Sequence, residues 1–415
     1  MNINAKIEID KRDNHDSINN LSYDYNLEGL RGFAAFSVAL AHVFDVKNFL
    51  DPSYHPNIYF SYLQVGHSAV LLFFLLSGYV IGLVTQKEFS TQQVNSYILR
   101  RGVRILPIYL ISISLGVLAE PNENFKIILG NLFFLQNFDP YFSFSLPPIA
   151  GDGAVWSLNY EVLYYLAFIL VWWLRPKIFD IFISIFIISA IGCFFPSFPQ
   201  FIPSYASGWI FWLSGLLLAW KIEPSTKEKS FFPLFSYILL FHATNHLLTG
   251  KYVLNALGFL NPFSGHVNLS DLTILPICIL IISEITSRHF YGFIYLRLLS
   301  FLIPIFHLIW VIWQGGVFSE PKLLASSLFV VLAILLLKYE ISGDILKKLN
   351  FMGRISYAFY LLHTPIAILM YKYFPWQGTV FSFSLGLLIW LCITVLLSAF
   401  LELVIQPKIK HYCLE

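Results

Sequence analysis

Twelve apolar stretches follow one another along this chain, near 30–49, 66–85, 104–119, 154–174, 177–195, 205–220, 231–248, 271–287, 295–312, 322–338, 354–373 and 380–405. A helix of about 20 residues crosses the hydrocarbon core of a bilayer, and most of these stretches approach or reach that length. Lipid offers no hydrogen bonds, so a segment lying in it must satisfy its own backbone, which predicts helices. The fold class that follows is all-α, a polytopic transmembrane bundle of about 10–12 spans. Composition excludes a water-soluble alternative. The chain is 57% hydrophobic and only 12% charged, and a soluble domain carries about twice that charge. A net charge of +2 is no footprint for nucleic acid. The four cysteines, Cys193, Cys278, Cys392 and Cys413, form no close pair, so neither a disulfide framework nor a metal site is expected.

Basic residues in the connections set orientation, because Lys and Arg collect on the cytoplasmic side. With the N-terminus inside and twelve spans, only Lys47, Lys126, Lys251, Lys322 and Lys372 of the 26 Lys and Arg fall outside. Both termini are therefore expected in the cytoplasm. Residues 1–26 read as a polar cytoplasmic leader without a cleavable signal, 27–405 as one transmembrane domain and 406–415 as a short cytoplasmic tail. The outside loop 120–153, with Phe133, Phe134 and Phe138, is expected to lie in the interface or to re-enter the membrane.

Titratable side chains in hydrocarbon are costly, which makes each a candidate for function. Arg31 opens the first span and His42 follows eleven residues later, almost three full turns and roughly 16 Å deeper on the same face. Glu161 lies early in the span that begins at Trp156, at a depth where it could orient the imidazole of His42 as a general base. Arg100, Arg101 and Arg104 precede Leu106-Pro107. At the start of a helix they would combine guanidinium forks with free N–H groups, a phosphate site. Each feature also has a structural reading: a topology anchor, an interhelical hydrogen bond, an interfacial acid. Leu76-Ser77-Gly78-Tyr79 suits close helix packing and a ligand groove equally.

In this order the residues resemble the acyltransferase-3 family of bacterial multi-pass membrane O-acyltransferases. The resemblance is carried by Leu27-Glu28-Gly29-Leu30-Arg31-Gly32 with His42, and by Phe73-Phe74-Leu75-Leu76-Ser77-Gly78-Tyr79. It continues in Arg101 and Arg104 before Ile105-Leu106-Pro107, and in Trp156-Ser157-Leu158-Asn159-Tyr160-Glu161. The late match is Gly353-Arg354-Ile355-Ser356-Tyr357 with Tyr360, His363 and Pro365. Two departures stand out: Ile405 precedes Gln406-Pro407 where the family often has Glu-x-Pro, and residues 221–340 carry no matching motif.

The resemblance implies transfer of an acyl group, usually acetyl, from acyl-CoA to a hydroxyl of a cell-envelope carbohydrate or glycolipid, in the bacterial cytoplasmic membrane and with no tightly bound cofactor. His42 and Glu161 are the expected catalytic pair, and Arg31, Ser77, Arg101, Arg104, Trp156, Tyr357 and His363 the expected substrate-binding residues. Asn159 or Tyr164 could stabilise an oxyanion, and the residues do not choose between direct transfer and an acyl-histidine or acyl-serine intermediate. A rival reading is a transporter or flippase in which His42, Glu161 and His363 form a proton relay. A non-catalytic lipid or sterol binder is a third. A transporter built from inverted repeats would show paired, broken helices in two halves, and no such symmetry is visible.

Overall fold

The computed structural model describes residues 24–44, 49–137, 146–195, 198–225, 233–259, 266–314, 321–339, 344–374 and 377–414. The leader 1–23, Phe138 and the loop around Lys227 lie outside them. Every apolar stretch holds a helix: α1 Tyr25–Phe44, α2 Gly66–Val84, α3 Thr91–Ala119, then the short α4 Phe125–Leu132. They continue as α5 Trp156–Leu174, α6 Ile178–Phe194, α7 Phe201–Lys221, α8 Leu234–Leu247 and the short α9 Thr249–Ala256. The second half holds α10 Leu275–Ile285, α11 Phe293–Trp313, α12 Pro321–Leu336, the one-turn pieces α13 Asp344–Lys348 and α14 Asn350–Arg354, and α15 Ser356–Tyr373. α16 Val380–Phe400 runs through a π-helical turn, Leu401–Ile405, into α17 Gln406–Leu414. Among the described residues no strand is present.

Among the described residues, seven helical segments are long and apolar enough to cross a membrane: α1, α2, α3, α5, α7, α11 and α16 with its extension. α6, α10 and α12 are apolar but shorter. α8 has 14 residues, and α15 carries His363, Thr364 and Lys372 in its 18, which lowers its hydropathy. The protein is an all-helical, multi-pass membrane protein.

Burial separates centre from periphery. α7 is 78% buried, whereas α11 and the α16 segment are 22% and 28% buried, so the latter two face lipid. The centre closes on glycines. A Cβ on Gly78 would lie 1.8 Å from the carbonyl oxygen of Trp212, and one on Gly215 would lie 1.9 Å from that of Leu75. Backbone therefore touches backbone where α2 crosses α7, which small residues permit in a membrane. The glycine of the Ser77-Gly78 pair thus serves packing, while Ser77 on its neighbouring face lines a cavity.

Two helix ends differ from expectation. Asp24 accepts the N–H groups of Asn26 at 2.9 Å and Leu27 at 3.3 Å, an N-cap that starts α1 before the apolar run does. Ser90 accepts the N–H of Gln93 at 3.3 Å and starts α3 at Thr91, thirteen residues before the apolar stretch begins. Arg100, Arg101 and Arg104 therefore sit inside a helix of 29 residues. Their neighbourhood has no free N-terminal N–H groups, so any anion there must be held by side chains.

Candidate functional site

α5 presents Ser157, Glu161 and Tyr165 on one face at four-residue spacing, a ladder about 12 Å long. Each rung meets another helix. Ser157 shares a 2.6 Å hydrogen bond with the hydroxyl of Tyr360 on α15. Glu161 accepts from Ser77 of α2 at 2.9 Å and from the hydroxyl of Tyr165 one turn on. The ring of Tyr165 lies 5.8 Å beneath the guanidinium of Arg101 on α3, a cation–π contact. The adjacent face of the same helix carries Trp156, Tyr160 and Tyr164, and packs against Tyr205 and Trp209 of α7.

The ladder lines a cavity of about 460 Å³. Its cationic end gathers Arg31 from α1, Arg100, Arg101 and Arg104 from α3, and Lys410 from α17; Ser157 and Tyr360 line it two turns away. The cations differ in how they are held. Arg31 donates to Glu28 at 3.0 Å. Arg104 is ion-paired with Glu402 in the π-helical turn and rests 5.2 Å from the ring centre of Tyr357; the Tyr357 hydroxyl donates to the carbonyl of Ile105 at 2.9 Å. The Nε of Arg101 is buried without a hydrogen-bond partner among the described residues. A buried donor left unmade costs free energy, so Arg101 is the cation most in need of an anionic ligand.

From that end α15 climbs in steps of three residues, Tyr357, Tyr360 and His363. One turn beyond Tyr360, the imidazole of His363 lies 2.7 Å from Nδ1 of His42, their rings within 5° of parallel. Tautomers follow from the partners. Nδ1 of His363 is 2.6 Å from the carbonyl oxygen of Tyr360, which can only accept, so that nitrogen carries the proton. Neutral His363 then holds its lone pair on Nε2 and accepts the Nδ1–H of His42. The basic lone pair of His42 is left on Nε2. Thr364, next on the same helix, is 3.1 Å from Nε2 of His363, and Trp390 of α16 donates to the carbonyl of His363 at 2.9 Å, tying this stretch of α15 to its neighbour.

A family model described as an acyltransferase domain, acyltransferase-3, matches residues 24–403. The chain belongs to the acyltransferase-3 family. It is a membrane acyltransferase, and the match spans residues 221–340, where no motif had been legible. Comparison with curated proteins and with solved structures returned no match.

In this acyltransferase-3 protein the cavity brings together Arg31, Ser77, Arg101, Arg104, Glu161 and Tyr357 of the nine residues singled out by sequence. His42 and His363 meet each other just beyond it. The expected pairing of Glu161 with His42 is replaced. The carboxylate is taken up by Ser77 and Tyr165, one turn on the arginine side of Ser157, while the imidazoles lie one turn past Tyr360 on the antiparallel α15. It is His363 that meets His42. Trp156 does not line the cavity; it stacks on His266 with ring centres 4.5 Å apart. Asn159 donates to the carbonyl of Phe134 and Tyr164 to that of Tyr205, and neither is among the residues that line the cavity.

Sequence reasoning missed Ser157, Glu402 and Lys410. The first was readable as the top rung of a four-residue polar ladder. Glu402 was readable as an acid in an otherwise apolar run; it stands three residues before the position where the family often has its acid. Lys410 was assigned to a tail, and the tail is α17, whose Gln406 donates to the carbonyl of Val103 at 2.6 Å.

Proposed function

We propose that this acyltransferase moves an acyl group, acetyl in the simplest case, from acyl-CoA to a hydroxyl of a cell-envelope carbohydrate or glycolipid in a bacterial cytoplasmic membrane. The observation that carries the reading is continuity. One cavity runs from five cations to Tyr360, and Tyr360 touches the imidazole that orients His42. Phosphates of CoA suit the guanidinium groups of Arg101 and Arg104, and the thin pantetheine arm suits a narrow cavity between helices. The thioester would then approach His42 while the nucleotide stays at the arginines.

In this scheme Nε2 of His42 takes the proton of the acceptor hydroxyl as its oxygen attacks the thioester carbonyl. The C–S bond breaks, and the CoA thiolate recovers the proton from the imidazolium. His363 stays neutral and holds the ring through Nδ1. The charge bias of the loops supports a cytoplasmic position for the arginines, where acyl-CoA is made, with the acceptor approaching from the other side. The test is release of CoA thiol and acyl transfer from acetyl-CoA by the purified protein. In His42→Gln, turnover falls by about 10²–10⁴-fold, the usual contribution of a general base, with the thermal transition preserved. Turnover within a few-fold of wild type in the folded variant removes His42 from the chemistry.

A further inference from the structure

Beyond the histidines, on the side away from the arginines, side chains from four segments form a second cluster. Trp156 opens α5, and its indole is covered by the imidazole of His266 at 4.5 Å with the planes 17° apart. Nε2–H of His266 donates to Oδ1 of Asn137 at 3.1 Å, and Nδ2 of Asn137 donates to the carbonyl of Trp156 at 2.8 Å. Asn137 holds this bridge from a left-handed backbone, φ 71°, which asparagine tolerates better than most residues. Beside it, Nε2 of His67 in the first turn of α2 lies 3.1 Å from Oδ2 of Asp271. The same oxygen accepts the N–H of Asn268 at 3.0 Å. Ser204 on α7 accepts the N–H of Val267 at 3.1 Å and bonds the Tyr160 hydroxyl at 2.7 Å, fixing the loop that carries His266.

The cluster is held rigidly and is still open. The His67 side chain is 40% exposed, His266 is exposed and Trp156 half-buried. The cluster also adjoins the reacting histidines. A Cβ on Gly66 would meet the Cβ of Ala41 at 2.7 Å, which puts His67 beside the turn of α1 that carries His42. Trp156 directly precedes Ser157, the partner of Tyr360. Chemically it pairs a flat aromatic stack with a rim of carboxylate, imidazole and amide. An anion is disfavoured beside Asp271, and a purely apolar group would strand the rim. An uncharged pyranose fits both parts, with a C–H face for the stack and hydroxyls for the rim.

We propose that this cluster of Trp156, His266, Asn137, His67 and Asp271 is the acceptor site and takes an uncharged pyranose, one hydroxyl of which is presented to His42. The assignment rests on the acyl-transfer reading, and the experiment separates the two. Saturation-transfer NMR on the protein in nanodiscs uses methyl β-glucopyranoside, methyl β-galactopyranoside and the methyl glycoside of N-acetylglucosamine as probes. At least one gives a signal with wild type and with His42→Gln. The signal is lost in His266→Ala, an exposed position that does not threaten the fold, and in Asp271→Asn, and is kept in Trp156→Phe, which preserves the stack. If no pyranoside binds wild type, or if binding survives both His266→Ala and Asp271→Asn, the assignment is overturned. If binding behaves as expected while acetyl-CoA is not turned over with any probe present, the sugar site stands and the acyl-transfer reading falls.

Discussion

Single side chains decide most of what the cavity can do, and Arg101 is the most exposed to test. Its unpaired buried Nε and the ring of Tyr165 beneath it favour a bound anion, and a hydrogen bond to a charged group is worth about 1.5–3 kcal/mol. Arg101→Ala therefore raises the Michaelis constant for acetyl-CoA roughly 10–100-fold, with the maximal rate much less affected, because phosphate contacts hold ground and transition states alike. A flat donor dependence with weakened acceptor use would move the donor elsewhere. A second residue-scale test lies outside the spans. Asp152 is fully buried, bonded by Ser112 and by the N–H of Ala154, and burial raises its carboxyl from 3.8 to about 8. The folded state thus holds a proton that the unfolded chain releases, so this residue's contribution is greatest below pH 4 and declines as pH rises to about 8. Asp152→Asn keeps the shape and removes the linkage; its melting temperature in detergent changes less than that of wild type between pH 5 and pH 8. Equal slopes would show that Asp152 is ionised in the fold. At this scale the sequence was informative where a polar group is costly. Arg31, Ser77, Arg101, Arg104, Glu161 and Tyr357 were legible because hydrocarbon makes such residues rare. The pairing of His42 with His363 was not legible, because 321 residues separate them and no local pattern encodes which imidazole another will meet.

Elements were legible by hydropathy and misread at their ends for the same reason. The first two turns of α3, Thr91-Gln92-Gln93 through Tyr97, are too polar to register as a span, so the helix seemed to begin at the arginines. The Ser90 cap was the overlooked signal. Similarly, hydropathy stops near Ile405 while the backbone continues through a π-helical turn into α17. Such turns recur at functional sites, and this one supplies Glu402 to Arg104. Packing between elements gives a sharper expectation. A methyl at residue 78 would collide with the Trp212 carbonyl, a backbone atom that cannot swing aside. At residue 102 on α3 the nearest atom would be 3.9 Å away. Gly78→Ala accordingly separates α2 from α7 and yields little monodisperse protein in size-exclusion chromatography. Gly102→Ala elutes as wild type and gains up to about 1 kcal/mol of helix propensity. Equal behaviour of the two would mean that the α2–α7 crossing is looser than the glycines imply.

Across the whole molecule, cations collect at one end of the cavity and the histidines and the cluster around Trp156 and His266 lie toward the other, a polarity that thiol labelling can assign to the two sides of the membrane. Cys193 and Cys278 are buried, whereas Cys392 and Cys413 are exposed, Cys392 on a lipid-facing span. With an impermeant maleimide, a cysteine replacing the exposed Ala150 labels in intact spheroplasts and Cys413 only after lysis. Labelling of Cys413 in intact spheroplasts together with protection at residue 150 would invert the orientation and take the cytoplasmic donor entry with it. The route by which the imidazole pair is assembled has a consequence for synthesis. α1 leaves the ribosome first, and His363 is added only when most of the chain has been made, so a nascent or truncated chain carries His42 without its contact to His363. Chains emerge at about 5–20 residues per second, which leaves an interval of roughly 15–60 s in which α1 is already made and the imidazole pair is not yet formed. Only the arrival of α15 completes the histidine pair.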